Sequence, residues 1–504
     1  MGGFLSHLAP EHNSDILKAT CGPIRGNVYK HVSREAIFSD IWTEPKDCYK
    51  YGPVCVQTFS FGGLTIPRET SPEEAGCLTL NVFSPRQPSL EFKTGGRPVM
   101  VFIHGGGFEF GGSADYCDYS LSGTLPLKDV VVVSINYRLG VFGFLTTGDS
   151  VCNGNFGLWD QTLALKWVQK HISSFGGDPN CVTVFGQSAG GASTDLLSLS
   201  PHSRDLFQRF IPISGSAYCE FALRTSKSQA KIFREFAEFK GFTGGDSTTL
   251  LEWYKNQSSE TLSDLRKEAP KKQMMTGVDE YEGVIASMNP EFSPADAGLA
   301  LFPKGVYGND TAENPEEMHK LFYEKYVEGV DKSDDSAMKK RLCEAFGDLG
   351  FNLGVFQSAK SSAKYGNDVF LYSFEYYHSD GFGMWKDLLP FEASMHGTEL
   401  RYLLGEGFYS KFDATKEELE VLEKTTTLFS NFAKYGNPNG TGVTDEIWEK
   451  FNLNNPERHF RISYPKCEMR DIFSGGRMPF LEKLEEKSLK TQELVYGTKK
   501  FTNN

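Results

Sequence analysis

Cys181-Val-Thr-Val-Phe-Gly-Gln-Ser-Ala-Gly-Gly-Ala-Ser-Thr-Asp-Leu-Leu, residues 181–197, is the stretch on which the fold turns. Val182 to Phe185 is a short β-branched and aromatic run, the pattern of a buried strand. Gly186-Gln-Ser-Ala-Gly190 then turns, and the small and apolar residues after it suit a buried helix. Strand, sharp turn and helix with a serine at the apex make a nucleophile elbow. Small residues two before and two after the serine let the backbone pass close, and the strained turn lifts the hydroxyl clear of the sheet. The five-residue pattern alone is weak. With glycine at 51 of 504 positions, G-x-S-x-G arises by chance on the order of 0.3 times in such a chain. An ordinary glycine-rich βα turn is the alternative, and the surrounding sequence decides between them.

Upstream, the turn Gly95-Gly-Arg-Pro is followed by the apolar run Val99 to Ile103, which ends in His104-Gly105-Gly106-Gly107-Phe108. A second apolar run, Val130 to Ile135, ends in Asn136-Tyr-Arg-Leu-Gly140. Phe156 to Ile172 has helical spacing, with Leu158, Leu165 and Val168 on one face. Asp160 stands near its start, where the helix dipole favours a carboxylate. Leu78 to Phe83, Phe210 to Ser214 and Phe370 to Phe374 read as further strands, and Ile24 to Lys30 as a hairpin strand. Residues 220–365 are more polar and read as helices and loops, Asn314 to Val327 among them. The helix Glu417 to Tyr435 stops at Gly436-Asn-Pro438. Lys483 to Lys490 is a solvated helical face. Strands alternating with helices predict an α/β fold, with a mostly parallel central sheet covered on both faces and a helical excursion. With no linker or repeat, residues 1–504 are expected to form one domain.

A serine hydroxyl is a poor nucleophile at neutral pH. It needs a base within hydrogen-bond reach, a carboxylate to hold that base, and N–H donors where the oxyanion forms. Gly105 to Gly107 suit the last task, because bare amides approach a substrate closely. With the amide of Ala189 they make an oxyanion hole of the α/β-hydrolase type. That fold orders its groups Ser, acid, His, so the base lies well downstream of Ser188. His378, His396 and His459 are the late candidates; His202 and His319 come too early. His459 sits in the alternating run His-Phe-Arg-Ile-Ser-Tyr464 and reads as strand surface. His396 precedes Gly397 in a loop ahead of an apolar segment, where a catalytic histidine belongs.

A wider set of blocks points the same way: Gly52-Pro-Val-Cys-Val-Gln57, Cys77-Leu-Thr-Leu-Asn-Val82, His104 to Phe108, Asn136 to Phe144, Phe156-Gly-Leu-Trp-Asp-Gln161 and Phe175-Gly-Gly-Asp-Pro179. The elbow, Ile213-Ser-Gly-Ser216, His396-Gly-Thr-Glu399 and Phe432-Ala-Lys-Tyr-Gly-Asn-Pro438 complete it. Together they resemble the type-B carboxylesterase and cholinesterase family of α/β hydrolases. The family acid lies in a Gly-x4-Glu-Gly pattern, which Gly277 to Gly283 matches. The resemblance thus implies Glu282 as acid, with Asp279 and Glu280 as near rivals, His396 as base and Ser188 as nucleophile. It implies Gly106, Gly107 and Ala189 as oxyanion donors. The implied enzyme is a serine carboxylesterase acting on uncharged esters with no metal or cofactor. The rivals are a cholinesterase-like esterase and a non-catalytic, neuroligin-like adhesion protein of the same fold.

Three departures stand out. The family's Phe-x-Gly-Ile-Pro-Tyr-Ala-x-Pro-Pro stretch is missing between Tyr29 and Cys55, so the N-terminal region looks shortened. The pair Cys55 and Cys77 remains, but Phe242 and Trp253 stand where a later cysteine pair is common. The Cys55–Cys77 loop has no Trp, where cholinesterases stack choline, so a quaternary ammonium site is not expected.

Charge and termini bound the remaining classes. Lys and Arg number 52 against 65 Asp and Glu, a net charge of −13. With no Lys/Arg-rich block, nucleic acid is not an expected partner. No run of 18 or more apolar residues marks a transmembrane helix. Met1-Gly2-Gly3-Phe4-Leu5-Ser6 fits the N-myristoylation pattern and lacks a signal core. A cytoplasmic protein is the expectation, either with an ordinary start that happens to carry Gly2 or weakly membrane-associated through a myristoyl group there. Its ten cysteines show no zinc-like spacing, so reduced thiols are the default. Sequons at Asn256, Asn309 and Asn439 carry little weight on that reading. The sequence leaves the oligomeric state open.

Overall fold

The computed structural model describes residues 76–239, 272–284, 314–405 and 414–487, apart from Lys93, Cys117, Asn153, Thr225 and 443–444. It also describes short pieces between His12 and Ile66, and Ser247. Gly2, Phe242, Trp253, Asn256 and Asn309 lie outside these residues.

Twelve strands form the main sheet. In chain order they are β1 His12–Asn13, β2 Asn27–Tyr29, β3 Val32–Ile37, β4 Leu80–Pro85, β5 Arg97–Ile103, β6 Val131–Ile135, β7 Gly177–Gln187, β8 Arg209–Ile213, β9 Gln273–Asp279, β10 Val369–Phe374, β11 His459–Ile462 and β12 Glu468–Arg470. Across the sheet the order is the same except that β6 precedes β5. The seven strands from β6 to β11 run parallel. The edges, β1 to β4 on one side and β12 on the other, are antiparallel.

The β-branched runs become central strands because both of their faces are covered. Val99, Val101 and Ile103 of β5 pack into one core with Leu165, Val168 and Leu197. Met100 and Phe102, pointing the other way, join a second core with Leu403, Leu428 and Phe432. The helices behind the first core include α1 Phe156–His171, α2 Ala189–Leu199, α3 Pro315–Tyr326, α4 Asp335–Gly347, α5 Leu353–Lys364 and, last of the described helices, Met478–Lys487. The second core is covered by α6, Glu399–Leu404, and by α7, Lys416–Tyr435. Burying a Val, Leu or Phe side chain is worth about 1.5–3 kcal/mol, so continuous runs on two faces hold the sheet's centre.

Several expectations acquire sharper physical reasons. The helix from Phe156 buries Leu165 and Val168 but leaves Leu158 only partly covered. Asp160 is buried and serves Arg138 rather than the helix dipole: it accepts from Nε at 2.7 Å, Nη2 at 2.8 Å and the Arg138 backbone N–H at 3.1 Å. Asn439 also has a structural task, with Nδ2 donating to Trp448 O and Oδ1 accepting from Trp448 N.

Two expectations are corrected. His459 is on a strand but not at its surface. Its ring is buried against Phe473, which lies edge-on to it, with Nδ1–H donating to Glu457 O at 2.9 Å. Reduced thiols are not general either: Cys55 and Cys77 form a disulfide. Seven other described cysteines are free. Among the described residues, no helix is long and apolar enough to cross a membrane.

Candidate active site

The chain order reverses once within the parallel strands, at β5 between β6 and β7. Ligands of open α/β sheets bind beyond the carboxyl ends of the strands at such a switch point. Three segments leave the sheet there. After β5 comes His104 to Phe108, after β7 comes Ser188, and after β9 comes Glu282. Ile103 pairs with Gly186, which brings the glycine loop alongside the elbow.

Ser188 takes φ 58° and ψ −122°, a left-handed conformation that costs a non-glycine residue of order 1–3 kcal/mol. The turn is fastened on both sides: Ser188 N–H donates to Ile213 O and Ser188 O accepts from Ala192 N–H. Gly190 explains the need for a small residue two after the serine, since a Cβ there would lie 2.0 Å from Ile103 O. Ser188 is half-buried in a surround that is almost wholly buried. In the glycine loop, Gly106 and Gly107 take φ of 108° and 61°. Among the described residues no hydrogen bond consumes the N–H of Gly106, Gly107 or Ala189. Gly106 O instead accepts from the amides of Glu109 and Phe110, curling the loop back on itself.

Neighbouring motifs brace this loop. Gln57 clasps Gly111 from both ends of its amide, at 2.8 and 2.9 Å, which ties the start of the disulfide loop to the glycine loop. Asn136 accepts from Ser113 N–H at 2.8 Å and donates to Cys77 O at 3.1 Å. Tyr137 donates to His104 O at 2.9 Å.

His396 lies in the turn Met395–Thr398, pinned to the β9 turn by an isolated bridge between Tyr281 and Met395. Its Nδ1 is 2.6 Å from Glu282 Oε2, and Glu282 is 1% exposed. The other Glu282 oxygen accepts from Asp279 N–H at 2.7 Å. Of the rival acids, Asp279 is buried but turned to Gly397 N–H, and Glu280 is exposed. Of the rival bases, His378 is 3.7 Å from Glu418, and His459 is the buried strand residue already described.

Residues that sequence reading left aside also converge on His396. Gln187, inside the elbow motif, brings Nε2 to 3.2 Å from His396 Nε2. Phe351 packs its ring 4.4 Å from the imidazole. Phe351 comes from a π-helical turn, Asp348–Asn352, set between two α-helices; such turns are frequent at functional sites. Glu399 accepts from Ser214 Oγ at 3.1 Å behind the histidine. The blocks His396 to Glu399 and Ile213 to Ser216 were visible signals for the last pair. Phe351 had none.

Known proteins share sequence with the chain over most of its length. The family model described as "Carboxylesterase family" matches residues 34–295 and 265–481. The chain belongs to the carboxylesterase family. "Esterase cest-33" of Caenorhabditis elegans is 66% identical, covering 99% of each chain. "Carboxylesterase 1C" of Rattus norvegicus is 31% identical over 82% of this chain and 79% of its own length. "Fatty acyl-CoA hydrolase precursor, medium chain" of Anas platyrhynchos is 29% identical over 88% of this chain and 84% of its own. The chemistry of this carboxylesterase-family chain is carboxylic ester hydrolysis.

Proposed function

We propose that the chain hydrolyses uncharged carboxylic esters through a Ser188–His396–Glu282 triad and an acyl-enzyme. The observation that carries this reading is the 2.6 Å contact between His396 Nδ1 and buried Glu282, on the carboxyl side of the sheet where the elbow presents Ser188. With Nδ1–H given to Glu282, His396 keeps a lone pair on Nε2. Ser188 Oγ attacks the ester carbonyl carbon and its proton passes to that nitrogen. The N–H groups of Gly106, Gly107 and Ala189 hold the oxyanion. His396 returns the proton to the alkoxide oxygen, the C–O bond breaks, and the alcohol leaves acylated Ser188. Water attacks the acyl carbon, giving its proton to His396. The intermediate collapses, the proton returns to Ser188 Oγ, and the carboxylic acid leaves. Glu282 holds the imidazole tautomer and offsets the imidazolium charge in both halves.

Purified protein is expected to hydrolyse short p-nitrophenyl esters and to be labelled by a fluorophosphonate at Ser188. Ser188→Ala should abolish labelling and lower kcat by ~10⁴-fold or more. Full turnover by Ser188→Ala would refute the triad. A folded, inert wild type would favour the non-catalytic, adhesion-type reading.

A further inference from the structure

Behind the triad, the structure buries two more carboxyls than the proposed chemistry uses. Asp279, the last residue of β9, is 0% exposed, and Glu399 is 1% exposed. Asp279 Oδ2 accepts from Gly397 N–H at 3.0 Å, the amide next to His396. Glu399 Oε1 accepts from Ser214 Oγ at 3.1 Å. Among the described residues, no N–H or hydroxyl donates to the remaining oxygens, Asp279 Oδ1 and Glu399 Oε2. Yet the two carboxyls are in hydrogen-bond contact with each other.

Two carboxylates cannot meet in this way, because like charges in a dry site repel strongly. A hydrogen bond between them needs one proton. The groups around the pair do not remove that need. Glu282 adds a further negative charge, the Tyr372 hydroxyl faces the same pocket, and the positive charge at hand is the one His396 takes up in the reaction. Burial, with the charges of Glu399 and Glu282 behind it, pushes the Asp279 carboxyl far above the usual carboxylate range. Protonated Asp279 therefore gives both orphan carboxyl oxygens a partner. It donates from Oδ1 to Glu399 and accepts Gly397 N–H at Oδ2.

We infer that Asp279 is a positioning residue which, as a neutral acid proton-bonded to Glu399, anchors the Gly397 amide and so holds His396 against Glu282. The inference rests on His396 being the base proposed above. The arrangement explains how the site tolerates three carboxyls: two charges remain, and one of them is matched when the imidazolium forms.

Asn is the isostere of a protonated Asp, with an NH₂ to donate to Glu399 and an oxygen to accept from Gly397. Asp279→Asn should therefore keep most of kcat, whereas Asp279→Leu should lose about 10²-fold in kcat, the cost of roughly 1 Å of misplacement, with little change in KM. Comparable melting temperatures for the variants separate this from misfolding. If Asn fails as badly as Leu, Asp279 is needed as a carboxylate and the inference is wrong; if Leu keeps full kcat, no positioning role exists. Independently, the infrared difference spectrum of wild type minus Asp279→Asn at pH 7 should contain the C=O stretch of a protonated carboxyl, and its absence overturns the shared proton. That band does not depend on turnover, so an inert protein showing it would remove the triad reading while leaving the proton pair in place.

Discussion

Gln187 is the residue whose chemistry is most exposed to test. Neutral His396 uses Nδ1–H for Glu282, so Nε2 is an acceptor, and the Gln187 amide lies 3.2 Å from it. In the proposed mechanism that lone pair takes the Ser188 proton, so the amide donor has to give way before reaction. A carboxylate in its place would instead stabilise the imidazolium. An opposite charge within a few ångströms moves a pKa by about 1–3 units in favour of the charged form. Gln187→Glu should therefore keep His396 protonated to higher pH and shift the acid limb of the kcat/KM–pH profile upward, while Gln187→Ala should not. A downward or absent shift in Gln187→Glu would mean that residue 187 does not act on the base. This residue sits inside the motif that identified the fold, yet its contact with His396 spans 209 positions in sequence. The motif located the serine; the partner of its neighbour depended on how β9 and β10 bring their following turns together.

At the scale of elements, legibility follows burial. β5, β6 and β10 were readable because unbroken apolar runs have no other stable place than between covered faces. β7 was readable only at its centre. It begins at Gly177, where a glycine pairs with Arg97 across an irregular register that composition does not signal. The π-turn at Asp348 has no sequence mark, although it delivers Phe351 to the imidazole. Helix α7 starts at Lys416, one residue ahead of the Glu417 expected, because Thr415 and Glu418 form a capping box. The structure adds a second duty: fully buried Glu418 accepts from Arg401 at 3.1 Å and from the Tyr402 hydroxyl. Burial raises the Glu418 pKa, but the Thr415 amide and the Arg401 charge outweigh it and leave the carboxyl below its ordinary value. A depressed carboxylate contributes stability above its unfolded pKa and loses it as pH falls through the folded value. Acid melting below about pH 4 should thus include this group. Glu418→Gln should lower Tm at pH 7, because it removes the negative charge that faces buried Arg401, at a cost of about 3–5 kcal/mol. Its Tm should then fall less steeply than wild type between pH 6 and pH 3. An equal slope would assign the acid sensitivity elsewhere. Arg138 and Asp160 form a comparable clamp between motifs on β6 and α1. Arg138→Ala is expected to destabilise by a similar ~3 kcal/mol, read as a loss in denaturant midpoint with the slope unchanged.

The whole molecule carries −13 formal charges, and that field acts differently on charged and uncharged substrates. A cationic ester would be drawn in at long range, with a rate that falls as salt screens the field. Arrival is not recognition. A quaternary ammonium group needs aromatic faces within about 6 Å, tryptophan best of all, and the segment closed by the Cys55–Cys77 disulfide contains no Trp. The buried carboxyls of Glu282 and Asp279 are engaged by His396 and Gly397 rather than offered to a ligand. An uncharged ester gains nothing from the field and loses nothing to salt. At equal acyl length, a p-nitrophenyl ester should therefore show a kcat/KM that does not change between low and physiological ionic strength. The matching thiocholine ester should be turned over less efficiently, with whatever rate it has declining as salt is added. A thiocholine ester that outruns the neutral one at physiological salt would show that a cation site exists outside the Cys55–Cys77 loop and would overturn the assignment to uncharged substrates.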